Sequence, residues 1–177
     1  APETLTSQRL LAGVYGNMGQ NAAQERLLVA CLAEYRKLHG ENHLETANTL
    51  RELGVLYLTR KEYEKADVAL TKSLAIVRKL ETEPAGDTVI GLWVLGGNYV
   101  MLGKYSLAEK AILEAIEHCR AWLGPDHSLL GMLDVFLAPT YQMQGKLPEP
   151  VTIHRRSLTA AQRMLRTDHP LVTPYRS

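Results

Sequence analysis

Three histidines, His43, His127 and His169, share one register, separated by 84 and then 42 residues. Imidazole is the commonest metal ligand, so such a repetition raises the question of a metal centre. Equivalent positions in stacked helical units stand about two helix diameters apart, roughly 20 Å from packed pairs of roughly 8–10 Å. One metal with bonds of about 2 Å cannot join them. The same residues suit the joint ahead of a helix, where a side-chain acceptor satisfies a free backbone amide, and capping is the expected role. His118, beside Cys119, is expected on a helix surface. Cys31 and Cys119 lack metal-ligand spacing and are too few for a disulfide framework. They read as buried free thiols of a reducing compartment, with a cytoplasmic location expected. No Gly-rich phosphate loop, nucleophile elbow or His-Glu-x-x-His pattern occurs, and acidic residues scatter along helix exteriors. A non-enzyme without cofactor or metal is expected.

Charge narrows the partners. A formal net charge of +1 supplies no field to draw nucleic acid or an anionic membrane. No stretch approaches the roughly 20 apolar residues of a membrane span. Arg155, Arg156, Arg163 and Arg166 form a basic cluster without interleaved aromatics, which reads as a solvated helix exterior. With one phenylalanine and two tryptophans among abundant Leu, Ala and Glu, helical packing is favoured over sheet.

The elements that must position these residues repeat. Tyr15, Tyr57, Tyr99 and Tyr141 follow one another at 42 residues. Four residues ahead of each stands Leu11, Leu53, Leu95 or Leu137, followed by the small Ala12, Gly54, Gly96 or Ala138. In the second unit Leu50, Leu53, Gly54 and Tyr57 make one helical stripe. After the polar break Thr59-Arg60-Lys61-Glu62, a second stripe runs through Ala66, Leu70, Leu74 and Val77, and Pro84 with Gly86 end the helix. The other units show the same order, with glycine in the turn at Gly19, Gly103 and Gly145, where a left-handed cap belongs. Each unit is therefore two helices and a tight turn, and a lone hairpin cannot bury both stripes, so neighbours must stack. The expected boundaries are about 5–43, 44–85, 86–127 and 128–169, all within a single array over 1–177.

Leu53-Gly54-x-x-Tyr57 with Ala66-x-x-x-Leu70, and Leu95-Gly96-x-x-Tyr99 with Ala108-x-x-x-Ile112, resemble the tetratricopeptide repeat (TPR). The joint Leu123-Gly124-Pro125-Asp126-His127 and its echoes, Gly40-Glu41-Asn42-His43 and Thr167-Asp168-His169-Pro170, resemble the longer kinesin-light-chain type of that repeat. The resemblance covers nearly the whole chain and implies an all-α, right-handed α-solenoid of four repeats, with about eight antiparallel helices of about 14–18 residues. The chain departs from the pattern in places. Neither tryptophan occupies the consensus position, Ala85 replaces a joint histidine, and Pro148 and Pro150 crowd the last second helix. Pro139 falls inside a first helix, where a kink or a cost of about 3 kcal/mol is expected. The chain begins at Ala1 without a signal peptide, and 170–177 opens a fifth joint, as expected of a piece of a longer array.

The resemblance also implies that the first helices line a concave groove. Opposite the Leu/Tyr stripe in the first two units lie Arg9, Gly13, Asn17, Asn48, Arg51, Glu52, Val55 and Thr59. In the last two units the same columns hold Ile90, Trp93, Val94, Val100, Met101, Met132, Val135, Phe136 and Met143. An apolar run of this kind suits a partner's apolar anchors, and the Arg9/Arg51 ladder suits acidic side chains. The lysine and asparagine of the family's carboxylate clamp are not reproduced. The expected function is a protein-interaction scaffold that holds an extended or helical peptide with apolar anchors and acidic flanks. Self-association as a homodimer, or service as the sensor repeat tail of a regulatory ATPase, is the alternative.

Overall fold

The computed structural model describes residues 2–80, 86–125 and 127–146, with side chains from residue 4 onward. Pro84, Ala85, Asp126, Pro148, Pro150, the four-arginine cluster and His169 lie outside the described residues. The chain divides into two compact units, Ala1–Glu83 and Pro84–Ser177. The first holds α1 (Pro2–Asn17), α2 (Asn21–His39), α3 (Leu44–Thr59) and α4 (Tyr63–Leu80). The second holds α5 (Gly86–Met101), α6 (Tyr105–Leu123) and α7 (Ser128–Met143). Seven helices of 16 to 19 residues, and no strand, thus make up the described residues. The fold class is the all-α class of helix–turn–helix repeats. The eighth expected helix falls outside the described residues.

Each hairpin closes in the same way. The amide of the residue just after the left-handed turn residue bonds back to the tyrosine carbonyl, five residues earlier: Gln20 to Tyr15 at 2.8 Å, Glu62 to Tyr57 at 2.8 Å, Lys104 to Tyr99 at 2.9 Å and Lys146 to Tyr141 at 3.0 Å. With the accompanying bond from the turn residue itself, this satisfies the helix's terminal carbonyls as a Schellman motif. Gly19, Gly103 and Gly145 hold φ of 72°, 69° and 70°, as the turn glycines lead one to expect. Lys61 takes the same conformation with a side chain, at φ 60°. At the joints, His43 Nδ1 accepts from the Glu45 amide and His127 Nδ1 from the Leu129 amide, each at 3.2 Å, so both are helix caps.

Within hairpins the small residue of the stripe permits close approach. A Cβ on Gly54 would stand 2.6 Å from Leu70 Cγ and Cδ2, and one on Gly96 would stand 2.8 Å from Ile112 Cγ1. The core of the first unit gathers Ala12, Leu28, Leu32, Leu50, Leu53, Leu56 and Val77, with Tyr57 packed against it. Between α3 and α4, Ser73 Oγ donates to the Ala47 carbonyl at 2.6 Å.

Two expectations are corrected. Leu53, Leu95 and Leu137 are 4, 5 and 3 % exposed, but Leu11 of the same stripe is 44 % exposed. α3 is covered by α2 and α7 by α6, whereas α1 packs chiefly on α2, leaving the Leu11 side of the helix without a neighbour among the described residues. Gly86 does not merely stop α4; it opens α5 beneath the Trp122 ring, where a Cβ would meet Cη2 at 2.6 Å. Pro139 lies inside α7, as expected, and the helix runs on to Met143.

Candidate functional site

The groove columns can be followed within each unit. In the first, Arg9, Gly13, Arg51, Glu52 and Val55 line a cavity of about 310 Å³ together with Leu10 and Gln24. Side chains at i and i+3 or i+4 share a helix face, so Arg51 and Val55 project with Asn48, whose Oδ1 accepts from Arg51 Nη2 at 2.9 Å. Arg9 does not stand open as a second rung of an arginine ladder. Its guanidinium bridges from α1 to α3, bonded to Glu52 and 3.3 Å from Glu45. Burial works against the charge, but the two carboxylates outweigh it and hold the Arg9 pKa above its ordinary value. Arg9 is therefore a strut between first helices, and Arg51 lines the same cavity. Asn17 is exposed at the end of α1. The sequence reading missed Gln24, which reaches the cavity from α2, and Glu45, whose pairing depends on the spacing of α1 and α3.

The second unit presents a different face. Trp93 on α5 meets Phe136 on α7 edge to face, with ring centroids 5.8 Å apart and planes at 76°. Phe136 also comes within 4.0 Å of where a Cβ on Gly97 would stand, so the small residue makes room for the ring. Around this pair Met101, Met132, Val135 and Met143 are exposed, while Ile90 and Val94 are half-buried. Edge-to-face aromatic pairs are worth about 0.5–1.5 kcal/mol beyond their burial, so the contact helps to hold Trp93 and Phe136 in place. The pair thus has a packing role and an open surface at once.

A second hollow, of about 530 Å³, lies between α2 and α4, with Leu32, Leu50, Leu53 and Tyr57 toward its floor and Val29 and Val68 on its walls. The exposed valines on two second helices were its only sequence signal. Cys31 and Cys119 are buried free thiols, and burial first of all pushes both thiol pKa values up. His118 is half-buried, its Nε2 3.8 Å from Glu114. Among the described residues no three His, Cys, Asp or Glu side chains are grouped to hold a metal, and no helix is long and apolar enough to cross a membrane.

Repeated Schellman turns, histidine-capped joints and a side-chain face that varies on a constant register define a helix–turn–helix repeat protein. Residues 3–79 match the family model of the tetratricopeptide repeat, so that stretch of the chain is similar to this family. No curated protein matches the sequence. Two crystal structures of the nearly identical TPR-like repeats of a candidate kinesin light chain from Podosopora anserina superpose with a TM-score of 0.83 at 22 % identity. They cover 97 % of this chain and 81 and 82 % of their own. BtubC (BKLC) from P. vanneervenii gives a TM-score of 0.85 at 17 % identity, over 94 % of this chain and 66 % of that one. The fold is thus the kinesin-light-chain-like form of the repeat.

Proposed function

We propose that this chain is a non-enzymatic scaffold, working in the cytoplasm, whose first-helix faces bind a protein partner through a peptide segment. The observation that carries the reading is the Trp93–Phe136 pair with exposed Met132, Val135 and Met143 around it. Large apolar side chains clustered on an open face mark interaction sites, and methionine adapts to varied apolar anchors. In the first unit, the cavity lined by Arg9, Gln24, Arg51 and Glu52 suits a polar stretch of the partner. The units behind this reading are the four 42-residue repeats at about 5–43, 44–85, 86–127 and 128–169.

A random-peptide display library, selected on the wild-type chain, tests the reading. Recovered peptides should carry aliphatic or aromatic anchors and lose about tenfold or more in affinity on Trp93→Ala, as expected for a buried aromatic anchor. Arg51→Glu should weaken those with acidic residues. Peptides that bind both variants as they bind the wild type would refute the assigned faces.

One observation favours a second reading. Leu11, Val14 and Met18 form an exposed stripe on α1, and self-association through it would bury them. Sedimentation velocity over a hundredfold concentration range decides. A dimer lost on Leu11→Glu supports self-association, and a concentration-independent monomer rejects it.

A further inference from the structure

Proline has no amide hydrogen, so in α7 the Val135 carbonyl lacks the donor that a helix supplies four residues on, at position 139. The helix nevertheless continues to Met143. The hydroxyl in this turn does not substitute: Thr140 Oγ1 donates to the Phe136 carbonyl, at 2.9 Å. A helical carbonyl points along the axis toward the residue four further on, so this one lies on the strip between Val135 and Pro139. Both are exposed, Val135 by 57 %. The equivalent positions in α1, α3 and α5 are Gly13, Val55 and Gly97, each with an amide to donate. The carbonyl that lacks its i+4 amide donor therefore belongs to α7, on the residue directly before Phe136 of the aromatic pair.

We infer that Pro139, by freeing the Val135 carbonyl beside this aromatic pair, makes the second unit's face selective for an extended peptide over a helical one. The inference rests on the interaction reading above. Trp93, Val94, Met132, Val135 and Phe136 are all uncharged, so the polar character of this strip is the partial negative charge of the carbonyl. Its complement is a neutral N–H donor next to an apolar side chain. An extended peptide offers that combination, because its backbone amides point outward beside side chains of alternating direction. In a helix, amides beyond the first turn are bonded internally and cannot donate. The peptide's apolar side chain rests on Trp93 and Phe136, and the adjacent amide meets the Val135 oxygen.

The test uses a peptide recovered by display on the wild-type chain, resynthesised as a set with single N-methyl amides. One N-methyl position should lower affinity for the wild-type chain about fivefold, the size of one neutral hydrogen bond. Pro139→Ala returns the amide to Val135. It should bind the unmethylated peptide about fivefold more weakly, lose sensitivity at that N-methyl position, and melt at a higher temperature than wild type. A proline with a merely structural role would not couple weaker binding to higher stability. Equal N-methyl profiles on wild type and Pro139→Ala, undiminished binding by Pro139→Ala, or recovered peptides that turn helical on binding would each overturn the inference. If Trp93→Ala still binds every peptide, or no peptide is recovered, the interaction reading fails and this inference fails with it.

Discussion

Gly54→Ala reverses the usual sign of a helix substitution. In an ordinary exposed helix interior, replacing glycine by alanine stabilises by about 0.8–1 kcal/mol. At Gly54 the new Cβ would stand 2.6 Å from Leu70 Cγ and Cδ2, about 0.8 Å inside the onset of ordinary contact at 3.4 Å. Leu70 is 1 % exposed, so the collision cannot be relieved toward solvent. Overpacking of this kind costs about 1–3 kcal/mol. Set against the propensity gain, the net expectation is a destabilisation of about 1 kcal/mol. Removing the obstacle should restore the ordinary sign. Leu70→Ala alone should cost about 2–5 kcal/mol as a cavity mutation, but in that background Gly54→Ala should stabilise by about 1 kcal/mol. The coupling between the two sites is then about 2 kcal/mol, within the range found for residues in contact. Urea unfolding of the four proteins, followed by circular dichroism at 222 nm, measures the cycle. Gly54→Ala stabilising the wild-type background by the full propensity amount would show that α3 and α4 do not need the gap.

Lys61→Gly should stabilise the chain by about 0.5–1 kcal/mol in the same assay, because a left-handed conformation costs a side-chain-bearing residue about 1–2 kcal/mol and Lys61 already holds φ 60° where three other turns have glycine. His127→Ala should cost about 1 kcal/mol through loss of the cap on the Leu129 amide, and His127→Asn should recover most of it. Glu109 yields a pH prediction. Burial would push its carboxyl pKa up, but hydrogen bonds from Lys146 at 2.6 Å and Gln144 at 2.9 Å prevail and hold it below the ordinary value. A depressed folded-state pKa contributes stability that is complete above the unfolded value of about 4.3 and disappears as pH falls through the lower folded value. Thermal melts between pH 6 and pH 2 should therefore fall less steeply for Glu109→Gln than for wild type, and parallel curves would refute the assignment.

Much of the fold was legible in the sequence because each repeat records the same local rules. The 3.6-residue spacing of Leu53, Gly54 and Tyr57, the turn glycines and the joint histidines are read by backbone geometry within a few residues, and the helices, Schellman turns and caps follow from them. The columns that face away from the Leu/Tyr stripe were equally readable, since the register is unbroken at 42 residues. What the columns do was not. Arg9 and Arg51 are one repeat apart and identical in type, yet Arg9 spans to Glu45 and Glu52 while Arg51 bonds to Asn48 on its own helix. The difference depends on how α1 lies against α3, which no local rule specifies. Leu11 holds the same register position as Leu53 but is 44 % exposed where Leu53 is 4 % exposed. The sequence by itself determined the unit, its turns and the register of its faces, because these are short-range consequences of periodicity and capping. Only the tertiary structure decided which side chains pair, which pack and which stay open, because these depend on distances between helices far apart in the chain.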